Sequence, residues 1–152
     1  MKLKTEISDV GEAEIIIRCN ERTDRIKNIE SMLEAFIQQG EDMVLMLGDT
    51  EYYISKKEIL FFETEEGKVA AHTLNRMYYT EYKLYELEKL MPPTFVRISK
   101  SCIININKIS AIHRNITGAS EVLFNNTDKK VYVSRAYYKI LKDKLYEMRF
   151  GK

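Results

Sequence analysis

The stretch Phe95 to Asn105 reads FVRISKSCIIN. Its apolar residues Phe95, Val96, Ile98, Ile103 and Ile104 are strand formers, and Arg97, Ser99, Lys100 and Ser101 gather donor side chains at the connection between two strands. No carboxylate interrupts the run. Donors without an acid beside them suit phosphate oxygens and the acceptor edges of guanine and adenine in a major groove. A second constellation is Val133-Ser134-Arg135: the end of a strand, a residue able to cap a helix, and an arginine in the first helical turn. Arginine there opposes the helix macrodipole, which an outside anion such as phosphate would offset; half of an ordinary salt bridge is the other account.

Constellations for catalysis are scarce. His72 and His113 are the only histidines and neither lies in an H-x-x-x-H or H-E-x-x-H arrangement, so each reads as a surface or cross-strand residue. Cys19 and Cys102 sit in apolar strand sequence, where a thiolate is disfavoured, and two cysteines make neither a disulfide framework nor a four-ligand zinc site. The 6 glycines are scattered singly, without a phosphate-cradling loop. Glu63, Glu65 and Glu66 fit a cation or a solvated hairpin tip equally well. The expectation is a protein that is not an enzyme, with no catalytic residue, metal, cofactor or small-molecule substrate.

Charge supports an anionic partner. Over 152 residues the chain has 24 Lys and Arg against 23 Asp and Glu, a net of +1. Residues 1–90 hold 12 basic against 19 acidic residues, net −7, and residues 91–152 hold 12 against 4, net +8. The basic part contains both donor constellations. Such asymmetry points to a polyanion-binding face, or else to unevenly spread solvated charge.

The elements that must position these residues are mostly short strands. Met43 to Leu47, Tyr52 to Ser55, Ile59 to Thr64, Val69 to Thr73 and Met77 to Thr80 are separated by turn residues, as are Phe95 to Ile98, Cys102 to Ile106, Ile109 to Arg114, Glu121 to Phe124 and Val131 to Val133. Asn125-Asn126-Thr127-Asp128 is hairpin chemistry, because Asn and Asp tolerate the left-handed conformation. A helix with Leu84, Leu87 and Leu90 or Met91 on one face, with Thr80 as a cap, is stopped by Pro92-Pro93, and Ser134 can cap a last helix carrying Leu141, Leu145 and Met148. Before residue 45, Lys2 to Ile7 and Ala13 to Cys19 read as strands, and Ile26, Ile29, Met32, Leu33, Phe36 and Ile37 fall on one helical face between Thr23 and Gly40. The fold class is therefore mainly β, in small antiparallel sheets with short helices, plus a small N-terminal α/β segment. The division expected is 1–44 and 45–152. No apolar run approaches the ~18 residues of a membrane span, and Met1-Lys2-Leu3-Lys4 opens no apolar signal core, so a cytoplasmic location is expected.

Over roughly residues 45 to 148 the sequence resembles the LytTR family of bacterial DNA-binding domains. The likeness runs from Ile54 and Ile59-Leu60-Phe61-Phe62-Glu63 through the Leu84, Leu87, Leu90 helix to Phe95-x-Arg97-x-x-x-Ser101, Ile103-Ile104-Asn105, Ile109 and Val133-Ser134-Arg135-x-Tyr137. The order and spacing carry it. The resemblance implies an elongated β fold that docks loops, not a recognition helix, into successive major grooves of a repeat operator, and a role in transcription regulation. It maps the base-reading loop onto Ser99 and Lys100, flanked by Arg97 and Ser101. A second contact falls on Ser134 and Arg135, and a third near Glu66, Gly67 and Lys68. The chain departs from the family at Ser99, where many members have His, and at Cys102, where an aromatic is usual; both bear on base preference. Forty-odd residues cannot contain the receiver that many members carry, so a stand-alone regulator is implied. Its partners would be double-stranded DNA and a regulatory membrane protein such as restrains some stand-alone members; residues 1–44, amphipathic in their helix and too few to bury a core alone, would either join a second copy in a homodimer or pack against the chain's own β domain, the copies then pairing only on the operator. The alternative is a protein-interaction module on the same β fold, which inward salt bridges of Arg97, Lys100 and Arg135 would favour.

Overall fold

The computed structural model describes residues 1–150 apart from 8, 10, 12, 13, 39 and 41. The chain divides into two units, Met1–Ala35 and Phe36–Lys152.

Helix α1, Asp24–Gln38, runs across that division. Thr23 caps it: its carbonyl accepts from Lys27 N–H at 3.0 Å and its Oγ1 from Ile26 N–H at 3.4 Å. Arg22 closes over the first turns with Nη2 at 2.6 Å from Glu30 Oε2. Gly40, at φ +60°, supplies the left-handed residue past the end. The two strands expected ahead of it do not form: residues 2–7 and 14–19 have neither strand nor helix, and Ala13 lies outside the described residues. The β-branched run Ile15-Ile16-Ile17 has strand propensity, but propensity needs a hydrogen-bonded neighbour and a face to bury, and Ile15 and Ile16 are exposed.

From residue 42 the alternating pattern becomes sheet. Strands β1 (Asp42–Leu47), β2 (Thr50–Ser55), β3 (Phe61–Glu65), β4 (Lys68–His72), β5 (Met77–Thr80), β6 (Phe95–Ser99) and β7 (Cys102–Asn105) form one antiparallel sheet in the order β2-β1-β5-β4-β3-β7-β6. Strands β8 (Ile109–His113), β9 (Ser120–Phe124) and β10 (Lys130–Val133) form a second, ordered β10-β9-β8. The β9–β10 hairpin turns on Asn126 at φ +61°, as its sequence requires. The β3–β4 hairpin turns on Glu66 and Gly67 at φ +49° and +80°, two successive left-handed residues that match the right-handed twist of the strands they join. Helix α2 is Leu84–Leu90; it starts later than a Thr80 cap would place it, because Thr80 Oγ1 accepts from Tyr82 N–H at 3.2 Å within the preceding turn. Met91 ends it before the prolines.

Two cores lie on opposite faces of the larger sheet. Successive residues of a strand point to opposite sides, so Phe61 packs with Ile98, Ile104, Val122, Val131 and Leu141, whereas Phe62 packs with Leu45, Val69, Leu84, Leu87 and Ile103. The first face is covered by the small sheet and by helix α3, Arg135–Phe150; the second is covered by α2. Leu141 is the buried anchor of α3, at 0% exposure. Leu141→Ala is expected to cost about 2–5 kcal/mol of stability, read by urea denaturation, because the fully enclosed site leaves a cavity.

Candidate nucleic-acid interface

The register of β3 on β7, with Phe62 opposite Ile103 and Glu63 opposite Cys102, places the β6–β7 connection and the β3–β4 hairpin at the same end of the sheet. Thr64 N–H donates to the Ser101 carbonyl at 2.9 Å and stitches the two together. On the other side Ser134 N–H donates to the Ile98 carbonyl at 3.0 Å, so the chain leaving β10 enters α3 beside the end of β6. The segments 66–68, 99–101 and 134–135, far apart in sequence, thus line one edge.

Along that edge Lys68, Lys100, Ser101 and Arg135 are exposed, while Ser99, Ser134 and Arg97 are half-buried. Ser99 Oγ accepts from Ser101 N–H at 3.2 Å, a local turn that shapes the loop. The Lys68 ammonium stands 5.6 Å from the centre of the Tyr79 ring and borders a cleft of about 600 Å³ shared with Tyr82 and Lys83. Among the described residues neither Lys100 nor Arg135 has an ion-pair or hydrogen-bond partner for its side chain. Arg97 differs. Its Nε donates to the Ser99 carbonyl at 2.7 Å, its Nη2 to the Lys100 carbonyl, and its Nη1 to Glu88 Oε1 at 2.9 Å. Glu88 is a residue that sequence reasoning missed, since nothing local connects α2 with a loop nine residues on.

Part of the C-terminal positive charge is engaged elsewhere. Lys129 Nζ donates to the Thr73 and Arg76 carbonyls at 2.7 and 3.0 Å, Lys130 pairs with Glu121 at 3.5 Å, and Arg149 donates to the Ile109 carbonyl at 2.6 Å. Burial pushes the Lys129 ammonium below its ordinary pKa. Cys102, next to the β6–β7 connection, is buried, and burial with the neighbouring Glu63 raises its thiol, so no reactive thiolate stands there.

Behind the β3–β4 hairpin His72 stacks on Phe61 at 4.3 Å, its cross-strand partner. Its Nε2 lies 3.4 Å from Glu65 Oε1 without hydrogen-bond geometry, and neither ring nitrogen has a hydrogen-bond partner among the described residues. Burial, then Lys129, lowers the imidazole pKa, and Glu65 opposes them. The folded chain therefore keeps His72 neutral where the unfolded chain, with an ordinary value of 6.5, takes up a proton. Stability is expected to fall as pH drops below about 6.5. Glu63, whose carboxyl is raised by burial and by Glu65, contributes in the opposite sense. The melting temperature between pH 7.5 and 5.5 should fall less in His72→Gln than in the unsubstituted chain; equal slopes would contradict this account.

Among the described residues no three His, Cys, Asp or Glu side chains gather where a metal ion could be held, and no helix is long and apolar enough to cross a membrane. What the edge offers is convergent hydrogen-bond donors and cations.

Known proteins resemble the chain over most of this fold. The family model for the LytTr DNA-binding domain matches residues 49–146, which include all three edge segments. An uncharacterized HTH-type transcriptional regulator of Staphylococcus aureus strain NCTC 8325 is 28% identical over 120 residues, 78% of this chain and 81% of that one. Another of the same description from strain N315 is 27% identical over 146 residues, 95% and 98% of the two chains. The solved LytTr DNA-binding domain from a Bacillus cereus protein superposes with a TM-score of 0.65 at 23% identity, covering 70% of this chain and 97% of that one, and so shares its fold. With the match extending over well over half of its length, the chain belongs to the LytTR family and carries that family's DNA-binding domain.

Proposed function

We propose that the chain is a sequence-specific regulator of transcription that binds double-stranded DNA by docking the loops at 66–68, 99–101 and 134–135 into successive major grooves of a repeat operator. The observation that carries this is the edge itself: Lys100 and Arg135 are exposed and without side-chain partners among the described residues, yet their backbones are tied to the sheet ends. Cations held in place but left unpaired suit an external polyanion. The relatives are described as HTH-type, but among the described residues no α-helix directly follows another, so no helix-turn-helix pair is formed and loops are the elements on offer. Of the three cations whose inward pairing would favour a protein-interaction module, only Arg97 turns inward.

Selection of bound sites from a random duplex pool tests the reading. Enrichment of a repeat with a spacing of about 10 base pairs or a multiple is expected for copies bound on one face of the duplex. No enrichment, together with no salt-sensitive binding, would overturn it.

In this reading residues 45–152 bind DNA and residues 1–44 join two copies. Its support is the apolar face of α1, where Met32, Phe36 and Ile37 are 63%, 60% and 65% exposed, together with the prevalence of symmetric dimers. Sedimentation of the full chain should show a dimer that Phe36→Glu divides; a monomer in both removes the dimer.

A further inference from the structure

We propose that Arg97 is a positioning residue, not a DNA contact, and that Glu88 on α2 is the group that aims it; this rests on the DNA-binding reading of the 99–101 loop. The guanidinium presents a rigid planar fork of donors. Two of them converge on the successive carbonyls of Ser99 and Lys100, and a third meets the Glu88 carboxylate. This side chain is therefore spent on the backbone of the loop it was expected to flank.

The consequence follows from peptide geometry. In a trans peptide the C=O and N–H point in opposite directions. Turning the Ser99 carbonyl onto Arg97 therefore turns the Lys100 N–H away from it. The irregular register between Arg97 and Ser99 lets the strand bend at this point. Ser99 Oγ and the Thr64 N–H complete the hold on Ser101 from the other side. The Lys100 and Ser101 side chains are then presented on a fixed frame, which base reading needs and phosphate binding alone does not.

Glu88 fits an aiming role. Leu84 and Leu87 bury one side of α2 and fix its position, while Glu88 is partly exposed at the end of an ion pair that contributes little to stability. A carboxylate near an interface for a polyanion would otherwise only repel it.

The test measures, with the full chain, the ratio of affinities for its selected operator and for a duplex altered at the base pair the loop reads. Arg97→Lys keeps the charge and removes the fork. It is expected to lower that ratio by about tenfold with the slope of affinity against salt unchanged. Glu88→Ala should lower the ratio similarly and Glu88→Gln, which keeps the acceptor, should restore most of it. Arg97→Lys that keeps the ratio, or Glu88→Ala and Glu88→Gln that both simply tighten binding, would overturn the proposal. An unsubstituted chain that discriminates no duplexes would instead overturn the DNA-binding reading itself. Because Glu88 is exposed, its variants remain folded and keep the test open if Arg97→Lys does not.

Discussion

Raising monovalent salt fourfold is expected to weaken operator binding by about 10- to 40-fold for each bound copy. Each phosphate neutralised by a cation contributes about 0.9 to the slope of log affinity against log salt. The edge offers Lys68, Lys100 and Arg135, all exposed. Two or three phosphate contacts give a slope of about −1.8 to −2.7. Two copies on paired sites would double the exponent, reaching a loss on the order of 10²- to 10³-fold. The net +8 of the last 62 residues is not itself a count of contacts: Lys129, Lys130 and Arg149 are held by protein groups and Arg97 by its own loop. Fluorescence anisotropy of a labelled operator across salt concentrations measures the slope directly. Lys68→Ala should make it shallower by about 0.9 per copy; an unchanged slope in that variant would remove Lys68 from the interface, and a slope near zero for the unsubstituted chain would contradict phosphate contacts by these cations.

How much of this was legible in the sequence depends on which partner a residue uses. Strands were legible because their partners are strands of the same alternating kind: Phe61 and Phe62 enter two different cores because the sheet has two buried faces. The run Ile15-Ile16-Ile17 reads as strongly as any of them and forms no strand, because strand identity resides in the neighbour as much as in the run. In the site, Lys100 and Arg135 stood out as donors without nearby acids, and among the described residues their side chains have no ion-pair or hydrogen-bond partner. Arg97 has the same residue-type signature with the opposite disposition. Its partners are two backbone carbonyls, which every residue carries, and a carboxylate on another element, so neither composition nor spacing could reveal the inward turn. The net charge of residues 91–152 pointed to a polyanion partner but not to which cations are free to meet it, since the carbonyls that hold Lys129 and Arg149 do not enter a charge count.

Arg135→Ala is expected to weaken operator binding by about 1–3 kcal/mol while leaving the free protein as stable or slightly more so. The two signs have separate causes. Arg135 is the first residue of α3, where a positive side chain opposes the helix dipole; its removal from an exposed position should return roughly 0.3–1 kcal/mol. The backbone there does not depend on the side chain: Ser134 N–H is held by the Ile98 carbonyl, and the Ser134 carbonyl accepts from Tyr137 N–H at 3.1 Å. Loss of binding without loss of stability therefore identifies a contact and excludes damage to the fold. Arg135→Lys separates the two contacts an arginine can make there. If Arg135 reads a guanine edge through its fork, lysine keeps the salt slope and relaxes the base preference at one operator position. If it touches phosphate alone, lysine restores binding to every sequence alike, and alanine weakens all duplexes uniformly while reducing the slope by about 0.9. Denaturation and anisotropy on the same three proteins decide it: an Arg135→Ala chain that loses stability and binding together would show that Arg135 supports the fold and would remove it from the interface.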